Sequence, residues 1–440
     1  MDQVVLINIM NLYSNSNIKL VVSMRLVIII LILLIFINTS NAQQTSQPGV
    51  ILKTISIEEN AGQNRQFEPV EILFNFRNYK SVNPEKQISI VEILDDENEK
   101  IIPCQVFDIE KMLNDQALQF KVIFQVNIVA NGKKTYRIIQ NSPTPNKFEY
   151  SPDLKVIGEG FGLIIENEYY RADLTPGEGP KKEPDSGQIK EVTILGNLGK
   201  KLMRYDRRIH WSPNFIRTDD KIDQSIAHWD PPENYTVEKG PVMCMTKRWG
   251  TLKNFPEIFI GAIYRFYDHL PYFVFSSRME IKKDIYLDRL RNDEMTTDSI
   301  FTHFTFKRPS GEIFTLPFKK RQEILDKNPI EADAPWLFFY ESKQGFAFGC
   351  IRLLYNNTNI CGNPSPTTGD YTKISDGAQG GKYWNRILIL NKPVLVSEGS
   401  VYEEKNAYIV FNKLSHASLV DSFEYYEKCL HNPLKVTFHE

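Results

Sequence analysis

Tyr205-Asp206-Arg207-Arg208-Ile209-His210-Trp211 packs acid, base, cation and aromatic groups into one short run. In an extended chain Tyr205, Arg207, Ile209 and Trp211 share one face, and Asp206, Arg208 and His210 share the other. On that second face Asp206 can hold His210 only indirectly, and Arg208 offers a planar fork that matches the two oxygens of a carboxylate. Three further clusters stand out: His228-Trp229-Asp230 ahead of a Pro-Pro step, Lys247-Arg248-Trp249, and Arg291-Asn292-Asp293-Glu294, with His303 a short distance downstream.

Such groups fit β-elimination beside a uronate carboxyl. A cation holds the carboxylate, a His, Tyr or Lys removes the neighbouring proton, and an acid such as Tyr protonates the leaving oxygen. Segment 204–211 contains all three types, and Arg248, Asn292 and His303 complete a set. The candidate catalytic residues are therefore His210, Tyr205 and His303. The candidate substrate-binding residues are Arg208, Arg248, Asn292, Glu294, Trp211 and Trp229, with the tryptophans, Trp249 among them, stacking on sugar rings. Each has a plain alternative, because a lone His or Arg in a β protein is more often a satisfied packing group.

Glycoside hydrolysis needs instead two carboxyls roughly 5–10 Å apart. Glu294, Asp293, Asp230 and Asp206 are the candidates. An epimerase needs a His and a Glu at one sugar carbon, which His210 or His303 with Glu294 supply. A third class is a non-catalytic glycan-binding or envelope assembly protein. An enzyme would gather His210, Arg208, Arg248 and His303 in one cleft; a binding module would scatter them beside an aromatic platform.

These groups need a scaffold, and the chain reads as strand almost throughout. Leu118, Phe120, Val122, Phe124, Val126 and Ile128 alternate with polar residues, and Asn131-Gly132 then marks a tight hairpin. Ile72, Phe74 and Phe76 alternate likewise. These runs predict a small β-sandwich over 50–142, closed by the linker-like Asn141-Ser-Pro-Thr-Pro-Asn146. A larger β unit is expected over 155–415, with strands at Leu163–Leu174, Gln188–Leu195, Ser299–Lys307 and Arg386–Leu390, a short helix at Pro317–Lys327, and a long aromatic hairpin, Ile258–Tyr267 and Tyr272–Ile281, turning at Asp268-His269-Leu270-Pro271. Leu419, Phe423, Tyr426 and Leu430 recur at helical spacing and predict a helix within 416–440 that closes at Asn432-Pro433.

Composition narrows the partners. With 52 basic and 54 acidic residues and a net charge of −2, the chain lacks the basic excess of a nucleic-acid binder. Its 27 Phe, 20 Tyr and 5 Trp suit β structure and sugar binding alike. The expected partner is a polysaccharide or oligosaccharide. No metal or cofactor is predicted: there is no Cys/His cluster with zinc spacing and no calcium-loop spacing, although Asp/Glu-rich loops leave room for a divalent cation. Gly377-Ala-Gln-Gly-Gly381 lacks the Lys and Ser/Thr of a phosphate loop and reads as a surface loop. Asn234-Tyr-Thr236 and Asn356-Asn-Thr358 have glycosylation-acceptor spacing. Five spread-out cysteines read mainly as small buried residues, with Cys350 and Cys361 near enough in sequence to bridge.

Met24–Ala42 has one Arg, an apolar run from Leu26 to Ile37, and a polar exit ending in Ala. That is the pattern of a secretory signal peptide, and the run is short of the ~20 residues a membrane helix needs. The expectation is cleavage near Ala42, no stable membrane span afterwards, and a secreted or periplasmic location.

Phe161-Gly-Leu-Ile-Ile-Glu-Asn-Glu-Tyr-Tyr-Arg-Ala-Asp-Leu174, followed by a loop and Gly187-Gln-Ile-Lys-Glu-Val-Thr-Ile-Leu195, resembles a hairpin of galactose-mutarotase-like β-supersandwiches. The hairpin Ile258–Ile281 is similar to the long paired strands of the same group. The resemblance implies a mostly β fold: a small N-terminal β-sandwich, then a large antiparallel β-supersandwich and a C-terminal helix. It also implies a carbohydrate-active protein, since such domains occur in polysaccharide lyases, sugar epimerases and glycoside-processing enzymes. Taken with the residue clusters, the leading expectation is a polysaccharide lyase, a carbon–oxygen lyase acting on an acidic polysaccharide, with a glycoside hydrolase or epimerase as the alternative.

Overall fold

The computed structural model describes residues 49–77, 83–95, 98–112, 117–140, 151–176, 185–196, 199–202, 208–229, 231–390 and 392–439. Residues 51–140 and 147–440 form one compact unit. The leader-like segment Met24–Ala42 and the linker-like Asn141–Asn146 lie outside the described residues. Among the described residues no helix is long and apolar enough to cross a membrane.

The alternating run Ala117–Ile128 buries Leu118, Phe120, Val122, Phe124, Val126 and Ile128 on one face. It is the middle strand of a three-stranded sheet, between Arg65–Arg77 and Cys104–Met112. A five-stranded sheet supplies the opposing Ile55, Ile57, Ile90, Tyr136 and Ile138, which completes the small sandwich. Its outermost strand is Lys435–His439, which runs antiparallel to Val50–Glu58. The helical spacing that predicts a helix within 416–440 gives no sign of this strand. It is too short for alternation to register, and only pairing with a distant strand orders it.

Two large antiparallel sheets form most of the rest, with a second five-stranded sheet of short strands in the order Lys200–Leu202, Glu191–Ile194, Tyr170–Asp173, Ile164–Glu166, Lys155–Ile157. The nine-stranded sheet runs in the order Asn234–Lys239, Met243–Leu252, Phe255–Tyr267, Tyr272–Ile281, Val401–Phe411, Phe346–Asn356, Trp336–Glu341, His303–Lys307, Ile313–Pro317. Its inner face carries Ile260, Tyr264, Phe275, Phe348 and Tyr408, packed with Phe215, Leu287, Trp384 and Leu388 of a seven-stranded sheet. Burying such rows contributes about 25 cal/mol per Å² of apolar surface. The outer face of the nine-stranded sheet meets Phe107 and Ile123 of the small sandwich and the helix His416–His431. That helix starts where expected, with Ser415 Oγ accepting from the N–H of Ser418 at 3.2 Å, and ends with Asn432 as its C-cap. Phe423 stacks on Phe338 at 4.5 Å directly over Gly349. A Cβ at Gly349 would lie 2.7 Å from the Phe423 ring and 2.4 Å from the Leu337 carbonyl, so glycine permits the helix to sit this close.

Three expectations need correction. Leu163–Leu174 is not one strand but two, Ile164–Glu166 and Tyr170–Asp173. Asn167 breaks it: its Oδ1 accepts from the N–H groups of Tyr169 and Tyr170, and its Nδ2 donates to the carbonyls of Tyr267 and Leu270. An Asn that satisfies local backbone groups makes a turn in place of a continuous ladder. The helix expected over Pro317–Lys327 is shorter, a 3-10 turn at Phe318–Lys320 and one helical turn at Arg321–Leu325. Cys350 is buried between the sheets while Cys361 is exposed, and both thiols are free.

Candidate functional site

The strand Ile285–Thr297 of the seven-stranded sheet carries a bulge. Asn292 pairs with Arg386 and the next pair is Met295 with Trp384, so Asp293 and Glu294 together stand opposite the single residue Asn385. Asp293 adopts φ 46°, a left-handed conformation uncommon for a residue with a side chain. Bulges re-aim side chains, and here they direct two adjacent carboxyls to different places. His210 bridges Met295 on one side, and next to it the Trp211 N–H donates to the Glu294 carbonyl at 3.0 Å. Successive residues alternate, so His210 and Met295 point inward while Trp211 and Glu294 share the outward face.

The inward groups form a polar layer between the large sheets. Asp293 accepts from Arg352 Nε at 3.0 Å, Trp384 Nε1 at 3.0 Å and the Tyr408 hydroxyl at 3.2 Å. Glu404 accepts from the Asp293 N–H at 2.7 Å, Ser277 Oγ at 3.1 Å and Asn406 Nδ2 at 2.8 Å. Burial, with the Asp293 charge beside it, pushes the Glu404 carboxyl up to about 7. His210 has no exposed surface. Its Nδ1 meets the Tyr264 hydroxyl, and its Nε2 lies 2.9 Å from Ser212 Oγ and 3.3 Å from the Tyr408 hydroxyl. Burial, followed by the nearby Arg248 charge, holds it neutral, with a pKa well below the usual range. Arg248 is also interior: it donates to the Ser186 carbonyl and Gln188 Oε1, and burial brings it down to about 10.

His210, Arg208, Arg248 and His303 do not share a cleft. His210 and Arg248 lie between the sheets. His303 stacks on Tyr340 at 5.2 Å on the opposite face of the nine-stranded sheet, because Tyr340 belongs to the outer core while the Phe275 and Tyr408 rings around His210 belong to the inner one. Trp229 is 2% exposed and donates to the Thr251 carbonyl at 3.0 Å, a core residue in place of a sugar platform. Tyr205, Asp206 and Asp230 lie outside the described residues.

Other expected residues do come together on the outward face. The Arg208 guanidinium lies 5.8 Å from the Trp211 ring, and His228 lies 6.0 Å from that ring. Trp211 Nε1 donates to Thr296 Oγ1 at 3.1 Å, which fixes the indole. Glu294 pairs with Arg291 at 3.3 Å, and Arg289 pairs with Asp223 at 2.5 Å. Glu294 is 6% exposed, and among the described residues its Oε2 has no hydrogen-bond partner, nor has Asn292 Oδ1. Burial raises the Glu294 carboxyl; Arg291 and Arg289 oppose that shift and Asp223 adds to it. The sequence reading missed Asp223 and Arg289. No local pattern marks them, and they meet only because Asn214–Arg217 pairs with both Asp223–Ser225 and Ile285–Thr297. Elsewhere, at the Asp268-His269 turn, Asp153, Asp268 and His269 bring possible metal-ligand atoms within 4.8 Å of one another.

No protein-family model matches this chain, and no curated protein matches it in sequence. Among solved structures, a protein in glycosyl hydrolase family 38 from Enterococcus faecalis is similar with TM-score 0.48 and 12% identity, over 88% of this chain and 47% of that one. An α-mannosidase from Enterococcus faecalis V583 gives TM-score 0.49 and 11% identity, over 88% of this chain and 46% of that one. A GH36 α-galactosidase from Geobacillus stearothermophilus gives 0.32 and 9%, over 59% and 41%. The chain thus spans about half the length of the first two. At these identities and scores the likeness assigns no residue a role.

Proposed function

We propose that the protein is carbohydrate-active and hydrolyses a glycosidic bond at the Trp211–Glu294 face. One observation carries this reading: a buried carboxyl with a raised pKa, Glu294, is electrostatically linked to a second, exposed carboxyl, Asp223, beside an indole fixed in place. Hydrolysis divides its work between two such carboxyls, one kept protonated to release the leaving oxygen and one ionised to activate water or attack carbon. Glu294 takes the first role and Asp223 the second. Trp211 offers its ring to a sugar face, and Arg208 and Arg291 bind substrate oxygens. Elimination has weaker support, since its chosen base, His210, is sealed between the sheets. The stacking of two large antiparallel sheets supports a galactose-mutarotase-like arrangement, and the Met24–Ala42 pattern supports work outside the cytoplasm.

A second reading, glycan binding without turnover, draws support from the dispersal of His210, Arg208, Arg248 and His303. Purified protein incubated with neutral and uronate-containing polysaccharides separates the readings. Hydrolysis releases new reducing ends with no ultraviolet-absorbing unsaturated ends, and Glu294→Gln lowers that rate by roughly 100-fold or more. Unsaturated ends would restore the elimination reading. Binding with neither product would establish the binding module.

A further inference from the structure

The outer face of the nine-stranded sheet carries an open groove of about 260 Å³ across five adjacent strands. Cross-strand pairing fixes which side chains line it, because residues directly opposite one another project from the same face. One row reads Trp249, Gly261, Arg278, Glu403. The next reads Lys247, Ile263, Ser276, Lys405. Between the rows, Arg248, Ala262, Ser277 and Glu404 belong to the opposite, inward face. The groove therefore lies on the other side of the sheet from the His210 layer, and Trp211 and Glu294 lie beyond that layer, on the outward face of the seven-stranded sheet.

We infer that this groove is a second glycan site, in which an acidic sugar ring lies over Gly261 between Trp249 and Arg278. Trp249 and Arg278 stand two strand spacings apart, roughly 10 Å, with only Gly261 between them. A Cβ built on Gly261 finds no atom within 4 Å, and its backbone is not in the left-handed region. The glycine is therefore required neither by packing nor by backbone conformation; what it provides is a flat floor. A pyranose ring fits that gap with one face on the strand and an edge toward the indole. Ser276, the small residue of the neighbouring row, continues the low floor toward Lys405.

Charge selects the class of sugar. Arg278 is already paired with Glu403, which also accepts from Asn356 Nδ2 at 2.8 Å, and Lys247 lies 3.6 Å from Asp108. Lys405 is exposed in the groove and, among the described residues, has no ion-pair partner within 4 Å; partial burial and the Arg265 charge hold its ammonium below the usual range, against the Glu71 carboxylate. A carboxylate on the bound sugar supplies the missing partner. The ligand class is a uronate-containing oligosaccharide, and this inference does not depend on hydrolysis at the Trp211–Glu294 face.

The test is calorimetric titration of the Trp211→Ala protein, in which the other face is disabled, with oligogalacturonate and oligoalginate, the methyl esters of both, and a neutral oligomannose. A uronate oligomer should bind, and esterification should weaken it about tenfold or more, a loss of about 1.4 kcal/mol. Gly261→Val fills the floor with a residue strands favour; it should abolish binding while the melting temperature holds. Gly261→Ala, a one-methyl intrusion, should weaken binding measurably and covers the case in which valine impairs folding. Lys405→Gln should erase the preference for acid over ester. Unchanged affinity in both Gly261 variants overturns the subsite. Equal affinity for acid and ester overturns the uronate class. No binding of any uronate oligomer overturns the groove as a glycan site and leaves hydrolysis at the other face to be judged by its own products.

Discussion

The Asp293 backbone N–H donates to Glu404 Oε2 at 2.7 Å, which pins the bulge of the seven-stranded sheet to the central strand of the nine-stranded one. The same bulge turns Asp293 toward Arg352 and sets Glu294 opposite Trp211. The interior layer and the outward face are thus positioned by one backbone irregularity. The left-handed φ at Asp293 persists because four donors and acceptors around it leave no better arrangement.

Asp293→Ala should be severely destabilising. It leaves Arg352 and the Trp384 indole N–H buried without their acceptor, and removing one partner of a buried ion pair costs about 3–5 kcal/mol. Urea unfolding should show a lower midpoint by that amount. A shift under about 1 kcal/mol would mean that water or a rearranged Glu404 replaces the carboxylate.

Glu404 should make stability fall as pH rises. Its folded pKa, about 7, exceeds the ordinary 4.5, so between those values the folded state holds a proton that the unfolded state has lost. The stabilisation is complete below pH 4.5 and lost by pH 7, on the order of 3 kcal/mol across the window. Glu404→Gln should remove that slope. Parallel unfolding curves for the parent and Glu404→Gln proteins across the window would refute the assignment.

His210 should act in the opposite sense. Its folded pKa lies well below 6.5, so under that pH the unfolded state binds a proton that the buried imidazole refuses, and stability drops as pH falls through 6.5. His210→Ala should lower the melting temperature clearly, and any glycan turnover should fall only in proportion to the folded fraction. A 100-fold loss of turnover at unchanged melting temperature would return His210 to proton transfer.

Asn167→Ala should loosen the first hairpin of the large region. It removes two donors to the Tyr267 and Leu270 carbonyls and the acceptor of the Tyr169 and Tyr170 N–H groups. Orphaned buried groups cost about 1–3 kcal/mol each. Amide exchange at Tyr169 and Tyr170 should quicken more than at Ile260 or Phe275, whereas uniform protection would argue that the turn holds itself.

Alternation made the strand Ala117–Ile128 and the aromatic hairpin legible, and helical spacing made the C-terminal helix legible, because each periodicity is a local consequence of one buried face. The clusters around Trp211 and Glu294 were legible as unusual chemistry in strands that packing alone would fill with Val, Ile or Leu. Their destinations were not. His210 and Trp211 are adjacent, yet one is sealed between sheets and the other faces out, and the choice of face depends on which distant strand pairs with them.

The amino-acid sequence by itself determined a mostly β protein with a small N-terminal sandwich, a large antiparallel assembly and a terminal helix, since periodicity is written in neighbouring residues. Tertiary structure alone decided that Asp223 and Arg289 join Glu294, that His303 stands apart from His210, and that Lys435–His439 closes a sheet begun at Val50. Those outcomes rest on pairing between segments far apart in the chain. Contacts of that kind are set by global register and by a single bulge, and leave no mark on local spacing.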